Sequence, residues 1–367
     1  MSLLHQVGLT YITNIGPTLA KNLLAYFGDA EKIFDASHAK LLTVPGIGDK
    51  TIAQLDFDDA LRKAEQELKF IEKNDIDVLF YTDSRYPKRL KNCSDSPILL
   101  YSKGNVDLNN YRVISIVGTR NATDYGRQLC HQLVEELQQY NVVVVSGLAH
   151  GIDVAAHKDC LKSNVPTVGV LGHGLDKMYP SQNRSTADKM LENGGLLTEY
   201  PSETKASPEN FPQRNRIVAG LADATVVIEA SVKGGALITA EIANSYNRDV
   251  FAFPGRVGDV YSEGCNFLVR NNKAALLTCA ADLAYSLGWE KPDDLKPAAE
   301  QQFMLPLDLS ADEQTIYSII QQNKQPLAID DLTIKTNMPM SQLAMNLLNM
   351  EMQGYIRSLP GKTYQVN

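Results

Sequence analysis

The stretch VVVVSGLAHGIDVAAH, from Val142 to His157, joins two different patterns. A run of valines stops at Ser146, and Gly147 and Gly151 follow before a helical pattern begins. A glycine turn between a strand and a helix is typical of phosphate sites, because backbone N–H groups converge at the N-terminus of the helix. This turn lacks the Lys-Ser/Thr ending of a P-loop and the G-x-G-x-x-G spacing of a dinucleotide site. The stretch therefore predicts a buried strand and an anion site that is not built for a mobile nucleotide.

Apolar runs of the same character recur along residues 110–288, and amphipathic segments such as GRQLCHQLVEELQQY and GALITAEIANSY separate them. Strands that alternate with helices are joined by right-handed crossovers and form a parallel sheet. Runs that are apolar on both faces indicate strands that are covered on both sides. We therefore expect an α/β fold with a Rossmann-like, doubly wound, mostly parallel sheet. The predicted strands are 111–118, 141–147, 165–172, 194–200, 222–230 and 248–255.

Composition excludes several classes of protein. The chain has 367 residues and a formal net charge of -8, which excludes a protein coated in positive charge but leaves room for a local basic pocket. The five cysteines are scattered without a C-x-x-C pair, as expected of buried, reduced thiols. The N-terminus does not have the pattern of a signal peptide, and no apolar run approaches the ~20 residues of a membrane span. These features predict a cytoplasmic protein without a membrane segment.

The first 80 residues are predicted to form an all-helical module. Two segments within them, TNIGPTLAKNLL and VPGIGDKTIAQL, form a weak repeat that aligns Gly16 with Gly48. The second copy resembles a helix-hairpin-helix, whose turn brings backbone N–H groups close to a DNA phosphate. A tight turn between two packed helices is the alternative, and the acidic residues between 49 and 59 favour it. The module is followed by the sheet domain, predicted to span residues 81–288.

Residues 289–309 contain three prolines and many charges and are predicted to be a linker. Residues 310–367 are predicted to form a winged-helix domain, in which Ser310 and Glu313 form a capping box. Winged helices commonly read duplex DNA through a recognition helix, here predicted near residues 340–352. That helix contains no lysine or arginine and includes Glu351. The domain is therefore expected to contact a protein rather than a duplex.

The candidate site follows from the rule that ligands of an open parallel sheet bind at the carboxyl ends of its strands. Small residues follow almost every predicted strand, and basic residues follow several of them. Several glycine turns on one edge predict a long, shallow surface where backbone amides meet an extended polyanion. The candidate residues are Gly118, Thr119, Arg120, Ser146, Gly147, Ala149, Gly151, Ile152, Asp153, Gly172, Gly174, Phe211, Arg214, Asn215, Arg216, Lys233, Gly234 and Gly235.

Two groups of these residues have alternative interpretations. Asp153 is interpreted as a helix N-terminal carboxylate rather than a catalytic group, and a zinc site with His150 and His157 is disfavoured by their spacing. Arg214 and Arg216 flank an asparagine close to Phe211, so the arginines could grip phosphates while the ring stacks on a base. Surface salt bridging is the alternative for the arginines, with Glu209 as the nearby acidic residue.

Four motifs carry a resemblance to a known family: VGTRNATDYGR, SGLAHGIDVAAH, NFPQRNRIVAGLADATVVIEASVKGGALITAEIA and FAFPGRVGDVYSEGCNFLV. They resemble the DNA-processing protein A family over about residues 80–285. The resemblance implies a Rossmann-like domain that binds single-stranded DNA, with a sterile-alpha-motif-like N-terminal module and a winged-helix C-terminal module. It also implies a non-enzymatic homodimer, without cofactor or metal, that protects incoming DNA and loads RecA recombinase on it during natural transformation and recombination.

The family motifs fall on specific residues of this chain. The family's GT/SR arginine falls on Arg120, its S-G-x-A-x-G-I-D turn on residues 146–153, and its F-P-x-R-N-R segment on residues 211–216. One departure occurs in the K-S-G-A-L-I-T-A segment, where Gly234 follows Lys233 in place of the usual serine. The departure removes one hydroxyl and keeps a backbone amide.

Two other functions are weighed. The segment GGALITAE, ending at Glu241, loosely resembles a segment of the nucleoside-monophosphate phosphoribohydrolases, whose glutamate assists glycosidic cleavage. The proline and the Gly-Thr pair of that enzyme segment are missing here, which argues against such an enzyme. A duplex-binding regulator that uses the winged helix is disfavoured by the acidic recognition helix.

Overall fold

The predicted strands form one large sheet in a computed structural model that describes residues 2–289, 309–323, 326–359 and 363–366. Its strands are β1 (Asp77–Phe80), β2 (Leu99–Gly104), β3 (Arg112–Val117), β4 (Val142–Ser146), β5 (Thr167–Val170), β6 (Gly194–Thr198), β7 (Ala224–Val227), β8 (Asp249–Ala252) and β9 (Ala275–Leu276). Within the described residues the sheet has nine strands in the order β1-β2-β6-β5-β4-β3-β7-β8-β9. Every pairing from β6 to β9 is parallel, whereas β2 pairs antiparallel with both β1 and β6. The predicted Rossmann-like, mostly parallel fold is confirmed.

All six predicted strands form, and three further strands were not predicted. Strands β1 and β9 have four and two residues, which is too short for a period to be recognised. Strand β2 ends in the polar residues Ser102-Lys103-Gly104, so only its first half shows the apolar pattern of a strand. The segment 1–80 therefore contributes an edge strand of the sheet in addition to its helices, and the domain boundary near residue 80 stays a prediction.

The chain divides into two compact units, Met1–Leu295 and Lys296–Asn367. Two short 3₁₀ helices, Gln138–Tyr140 and Ser181–Asn183, also occur in the first unit. The helices of the first unit are α1 (Leu3–Tyr11), α2 (Pro17–Phe27), α3 (Ala30–Phe34), α4 (His38–Leu41), α5 (Asp49–Ile52), α6 (Phe57–Asn74), α7 (Lys88–Lys91), α8 (Asp124–Leu137), α9 (Ile152–Lys162), α10 (Arg184–Met190), α11 (Asn210–Leu221), α12 (Gly235–Ser245), α13 (Glu263–Arg270) and α14 (Ala280–Ser286).

The central strands are apolar on both faces because each face is covered by helices. Val143 and Val145 of β4 pack in one core with Ile217 of α11, whereas Val142 and Val144 pack in a second core with Leu133 of α8. Alternate side chains of a strand point to opposite faces, so the valine run serves two cores at once. Helices α8 and α9 consequently lie on one side of the sheet, and α11 and α12 lie on the other.

Strand β3 lies at the point where the strand order reverses. The chain runs outward in one direction through β4 and β5 to β6 and then returns to β7 on the opposite side of β3. In open α/β sheets the helices diverge at such a switch point, and a crevice opens at the carboxyl ends of the strands. The ends of β3, β4 and β7 therefore border the expected ligand crevice.

The helical segment packs directly on the edge of the sheet. Val7 of α1 and Leu23 of α2 share a core with Phe80 and Leu99 of the edge strands. The predicted hairpin turn is present, and Gly46 in it has a φ of +90°, a conformation that favours glycine. Lys21 of α2 reaches the loop before β2, where its amine donates a 2.7 Å hydrogen bond to the Ser96 hydroxyl.

The second unit is the predicted winged helix. It contains helices α15 (Ala311–Gln322), α16 (Ile329–Thr336) and α17 (Met340–Met352), and a small antiparallel sheet of β10 (Leu327–Ala328), β11 (Ile356–Leu359) and β12 (Thr363–Val366). The capping box is confirmed, since Ser310 and Glu313 each accept a hydrogen bond from the other's backbone N–H. The predicted recognition helix is α17, on which Met345, Leu348 and Met352 are exposed.

Residues 290–308 of the predicted linker lie outside the described residues. Among the residues that are described, none of the helices combines the length and apolar character needed to span a membrane.

Trp289, the single tryptophan of the chain, packs near the end of the first unit. The Trp289 ring is 6.2 Å from the Tyr140 ring, and the Arg112 guanidinium lies 5.2 Å from the Trp289 ring centroid. These contacts attach the end of the first unit to the helical layer formed by α8 and α14.

His157 of α9 is part of the core rather than of a metal site. The side chain is fully buried, and its Nδ1 lies 2.7 Å from the hydroxyl of Thr167 in β5. Thr167 already donates its hydroxyl hydrogen to the Val144 carbonyl, so Nδ1–H must donate to Thr167 and the buried Nε2 stays unprotonated. Burial, with a smaller effect of the Arg214 charge, lowers the pKa of His157 to about 3.

We expect His157 to destabilise the fold in acid. In the unfolded chain the imidazole takes up a proton near its usual pKa of about 6.5, whereas in the folded chain it does so only near pH 3. The unfolded state binds more protons between these values, so the free energy of unfolding falls as the pH drops, by at most about 1.4 kcal/mol per pH unit. Urea denaturation of wild type and His157→Leu between pH 7 and about 5 checks this. Parallel pH profiles of the two proteins would contradict it.

Candidate nucleic-acid interface

A cleft of about 510 Å³ opens at the carboxyl ends of β3, β4 and β7. Four segments form its walls: the turn after β3, the turn after β4, the first turns of α11 and the start of α12. Eleven of the candidate residues line it, namely Gly118, Thr119, Arg120, Gly147, Ala149, Asp153, Phe211, Arg214, Asn215, Gly234 and Gly235. The cleft thus brings together residues that are more than 100 positions apart in the sequence. This agrees with the strand-end rule, by which ligands of a parallel sheet bind at the carboxyl ends of its strands.

Arg214 forms the floor of the cleft. Its side chain is only 4% exposed, and its Nη1 donates a hydrogen bond to the Val170 carbonyl at the end of β5. Burial lowers the pKa of Arg214, and the negative charge of Asp153 opposes that shift. The guanidinium is held so closely that a Cβ on Gly147 would lie 2.3 Å from its Nη1. Only glycine at position 147 leaves room for this buried cation.

Asp153 lies in the first turn of α9 and balances part of this charge. Its carboxylate accepts a long 3.4 Å hydrogen bond from the Ala149 N–H. Burial raises the pKa of Asp153, whereas Arg214 and backbone N–H groups of the turn oppose the rise. This geometry matches the interpretation of Asp153 as a carboxylate at a helix N-terminus rather than a catalytic group.

Gly151 sets the close approach between α9 and the turn after β3. It has a φ of +78°, and a Cβ at this position would lie 2.1 Å from the Thr119 carbonyl oxygen. The Ile152 N–H donates a 3.1 Å hydrogen bond to the same oxygen. The two glycine turns therefore form one continuous wall of the cleft.

Arg120, Phe211 and Tyr179 form a stack at the mouth of the cleft. The Cζ of Arg120 lies 5.6 Å from the centroid of the Phe211 ring, and the Tyr179 ring lies 5.8 Å from it at an angle of 33°. Arg120 and Tyr179 are exposed, and no carboxylate among the described residues pairs with Arg120. The Arg120 charge further lowers the pKa of Arg214, so two like charges face the same space. An anion between them would relieve the repulsion.

Buried His173 fixes the loop that carries Tyr179. Its Nε2 accepts a 3.2 Å hydrogen bond from the Tyr179 N–H, and its Nδ1 lies 2.9 Å from the Gly174 carbonyl, to which it donates. Both ring nitrogens are satisfied by the neutral tautomer that is protonated at Nδ1. Tyr179 is thus held at the mouth of the cleft by the backbone of its own loop.

Seven candidate residues do not line the cleft. Ser146 and Ile152 are buried behind it, and the Ser146 hydroxyl donates a 2.6 Å hydrogen bond to the Ile116 carbonyl. Gly172 supports the Phe211 ring, which a Cβ there would contact at 3.2 Å, and the Gly174 N–H donates to the Thr204 carbonyl. The others are Gly151, Lys233 and Arg216. These residues shape the cleft or lie beside it.

Arg216 has a different role from its neighbour Arg214. Its Nη2 forms an ion pair with Glu199, and its Nη1 donates a 2.8 Å hydrogen bond to the Asp95 carbonyl. Glu209, the acidic residue nearby in the sequence, instead accepts a hydrogen bond from Ser207. An ion pair therefore does form at Arg216, but it is largely buried rather than on the surface, and its partner is Glu199 rather than Glu209.

The start of α12 differs in one detail from the sequence-based expectation. The Gly234 N–H donates a 2.9 Å hydrogen bond to the Ser231 carbonyl, so this amide does not face the cleft as a donor. Gly235, the first residue of α12, has open space around it. The helix N-terminus is therefore open to a ligand at Gly235.

Sequence reasoning missed several lining residues, including Asn121, Tyr179, Ser231 and Tyr261. Asn121 and Ser231 directly follow the strand-end motifs, so a slightly wider window would have included them. Tyr179 and Tyr261 come from loops, and only the folded chain brings them to the cleft. The Asn121 amide donates a 3.1 Å hydrogen bond to the Tyr261 hydroxyl, which closes one end of the site.

Glu241, the glutamate that the rival enzyme would use, lies outside the cleft. Glu241 forms a 2.5 Å ion pair with Lys273 and does not line the cleft, and no other glutamate lines it within the described part of the chain. His150 is exposed and His157 is buried in the core. No cluster of His, Cys, Asp or Glu suited to a metal ion occurs among the described residues.

Comparison with known proteins places three segments of the chain in known families. Residues 77–288 match the family of the DNA recombination-mediator protein A, residues 297–362 match the DprA winged helix domain, and residues 8–55 match the SAM-like helix-hairpin-helix tandem. The first match covers more than half of the chain and contains the entire cleft.

Individual relatives agree with the family match. The chain is 32% identical to the protein Smf of Synechocystis over 96% of both chains. The X-ray structure of DNA processing protein A (DprA) from Streptococcus pneumoniae superposes with a TM-score of 0.68 at 29% identity, covering 79% of this chain and 99% of that one. DNA processing protein A from Helicobacter pylori, solved for its single-stranded DNA binding mode, superposes with a TM-score of 0.53 at 28% identity, covering 59% and 97%. The chain belongs to the DNA recombination-mediator protein A family.

Proposed function

We propose that the chain binds single-stranded DNA along the cleft and acts without catalysing a reaction. The observation that carries this proposal is the arrangement of Arg120, Phe211 and Arg214, in which an aromatic ring lies beside the exposed cation of Arg120 and on the same helix as the buried cation of Arg214. The two cations suit phosphates, and the ring offers a face to a base. Such a combination of basic groove and stacking ring is typical of proteins that bind single strands.

A single strand fits this site better than a duplex. Bases in a duplex are stacked on each other, so Phe211 and Tyr179 would find no free base face. The cleft supplies its donors from fixed positions, since Arg214 is held by the Val170 carbonyl and α12 begins at Gly235. Fixed donors lose little conformational entropy on binding, which lets few charges suffice in a chain of net charge -8.

The wider role rests on family membership. We infer a cytoplasmic homodimer that protects incoming single strands and delivers them to a RecA recombinase during natural transformation and recombination. The H. pylori relative supports the DNA part of this inference, because its structure concerns single-stranded DNA binding. Stimulation of RecA filament formation on strands coated with a single-strand-binding protein tests the delivery step.

Arg120→Ala should weaken binding to single-stranded oligo-dT without unfolding the protein. The exposed guanidinium has no carboxylate partner among the described residues, so its loss removes a phosphate contact and little internal structure. A charge-assisted hydrogen bond is worth about 1.5–3 kcal/mol, or roughly ten- to a hundred-fold in affinity. The salt dependence should also decrease by about 0.7, the slope for one phosphate on a single strand. Fluorescence anisotropy at several salt concentrations measures both quantities.

Arg62→Ala is the matched control, because Arg62 is an exposed arginine of α6 that does not line the cleft. Wild-type affinity of Arg120→Ala, or a defect that merely follows a lower melting temperature, would mean that Arg120 is structural and that the strand takes another path.

Phe211→Ala should weaken binding by another mechanism. Stacking is worth about 1–3 kcal/mol per base, and its loss removes no charge, so the salt dependence should hardly change. Phe211→Leu keeps most of the volume that packs on Gly172 but has no flat face, so it should lose affinity as well. Wild-type binding by Phe211→Leu would show that the ring serves packing rather than stacking.

Removal of residues 310–367 should leave single-strand affinity within about tenfold of the full chain. The described part of this segment contains the basic residues Lys335 and Arg357 against the acidic residues Asp312, Glu313, Asp330, Asp331 and Glu351. Its recognition helix presents exposed methionines instead of basic groups. Anisotropy with both proteins at equal dimer content measures the difference, and a larger loss in a folded truncated protein would show that the winged helix contacts the strand.

A further inference from the structure

A second basic surface lies beside the cleft, in the groove between α8 and α9. The groove has a volume of about 410 Å³, and its basic lining residues are Arg127, His131, Lys158 and Lys162. Their side chains face solvent, with Arg127 54% and Lys162 70% exposed. Such a concentration of cations stands out in a protein with a net charge of -8.

The acidic residues near the groove do not neutralise it. Asp159 is 7% exposed and lies 3.1 Å from the Lys162 amine and 3.5 Å from His131 Nδ1. Asp124 lies 3.8 Å from Arg127 Nε but points fully into solvent, where such a pair is weak. Within the described residues, no hydrogen bond or ion pair engages the Lys158 amine. Among the described residues that line the groove, three cations, those of Arg127, Lys158 and Lys162, face the single carboxylate of Asp159.

The groove lies next to the cleft. Gly151 lines the groove, and the backbone of Thr119 and Arg120 against which it packs lines the cleft. The separation is small, since a Cβ on Gly151 would lie 2.1 Å from the Thr119 oxygen and 2.6 Å from that of Arg120. A side chain at position 151 would force these two segments apart, so glycine keeps the groove next to the Arg120 end of the cleft.

The spacing of the cations suits a linear polyanion. Lys158 and Lys162 are four residues apart on α9, so their Cβ atoms lie about 5–6 Å apart on one face of the helix. Arg127 and His131 have the same spacing on α8, which forms the opposite wall. Lys158 and Lys162 on one wall and Arg127 on the other therefore form a track of cations rather than a single charged pocket.

We propose that this α8–α9 groove is a second DNA-binding segment, which takes the phosphates of the same strand where it leaves the cleft past Arg120. The inference rests on the proposed function, because the cleft must hold the first part of the strand. The groove lacks an aromatic side chain among its described lining residues, so it binds the backbone and leaves the bases exposed to solvent. A strand held in this way keeps its bases accessible for pairing.

The test compares a short and a long strand. Oligo-dT of about 5 nucleotides fills the cleft, and oligo-dT of about 16 nucleotides also reaches the groove, a range that brackets the site sizes of single-strand-binding folds. Full-length wild type, Lys158→Ala/Lys162→Ala and the charge-preserving Lys158→Arg/Lys162→Arg are compared. Lys69→Ala/Lys73→Ala is the matched control, since it removes two exposed lysines with the same spacing from α6.

We expect Lys158→Ala/Lys162→Ala to bind the long strand about tenfold more weakly than wild type, with a salt slope lower by about 0.7 for each phosphate that the variant no longer neutralises. Its affinity for the short strand should match that of wild type. The arginine variant and the α6 control should bind both strands with wild-type affinity. Wild-type affinity of the alanine variant for the long strand would overturn the groove proposal, as would an equal loss of affinity for both strands. If wild type itself binds neither strand, the proposed function fails and the groove proposal fails with it. A further outcome separates the two sites. If Arg120→Ala binds both strands normally while Lys158→Ala/Lys162→Ala binds only the long strand more weakly, the cleft assignment fails and the groove remains a DNA site.

Discussion

The buried guanidinium of Arg214 is the constraint on which the candidate site depends. It occupies a space that only Gly147 leaves open, donates to the Val170 carbonyl and lies in the field of Asp153. These contacts tie the turn after β4, the end of β5 and helix α11 to one another. Burial of an arginine costs free energy unless it is hydrogen-bonded and its charge is balanced, and its Nε still has no hydrogen-bond partner among the described residues. A cation kept at the bottom of a cleft at such a cost is consistent with a site for an anion.

The two arginines that line the cleft differ in burial. In the proposed binding mode, buried Arg214 sets where a phosphate lies, whereas exposed Arg120 is free to follow a flexible strand. Phe211 is close to both arginines in a different way: it lies on the same helix as Arg214, and its ring is in contact range of Arg120. Arg216, two residues beyond Arg214, faces the opposite way and joins α11 to Glu199 and the loop before β2. One turn of α11 therefore presents Arg214 to the cleft and Arg216 to an internal ion pair.

The sequence predicted those parts of the structure that are determined by interactions between residues close together in the chain. The valine run, the glycine turns and the capping box at Ser310 each follow from short-range rules, and the order of strands and helices determined the sheet. The strand-end rule then found part of the cleft, because the carboxyl ends of parallel strands meet at one edge. It could not find Tyr179 or Tyr261, whose loops are positioned by distant contacts such as His173 and Asn121. It also could not separate Arg214 from Arg216, because a helix turns neighbouring side chains to different partners and only the fold determines that Glu199 meets the second arginine.

Trp289 has a practical consequence for spectroscopy of this protein. It is the single indole of the chain, and it stacks near Tyr140 and Arg112 on the α8 side of the sheet, away from the residues that line the cleft. Its emission therefore reports on the integrity of the first unit and of the helical layer formed by α8 and α14. A ligand in the cleft has no indole to quench, so changes of tryptophan emission on adding a ligand would indicate a rearrangement at the end of the first unit. The protein thus contains an optical probe of its own unfolding that is independent of the occupancy of the cleft.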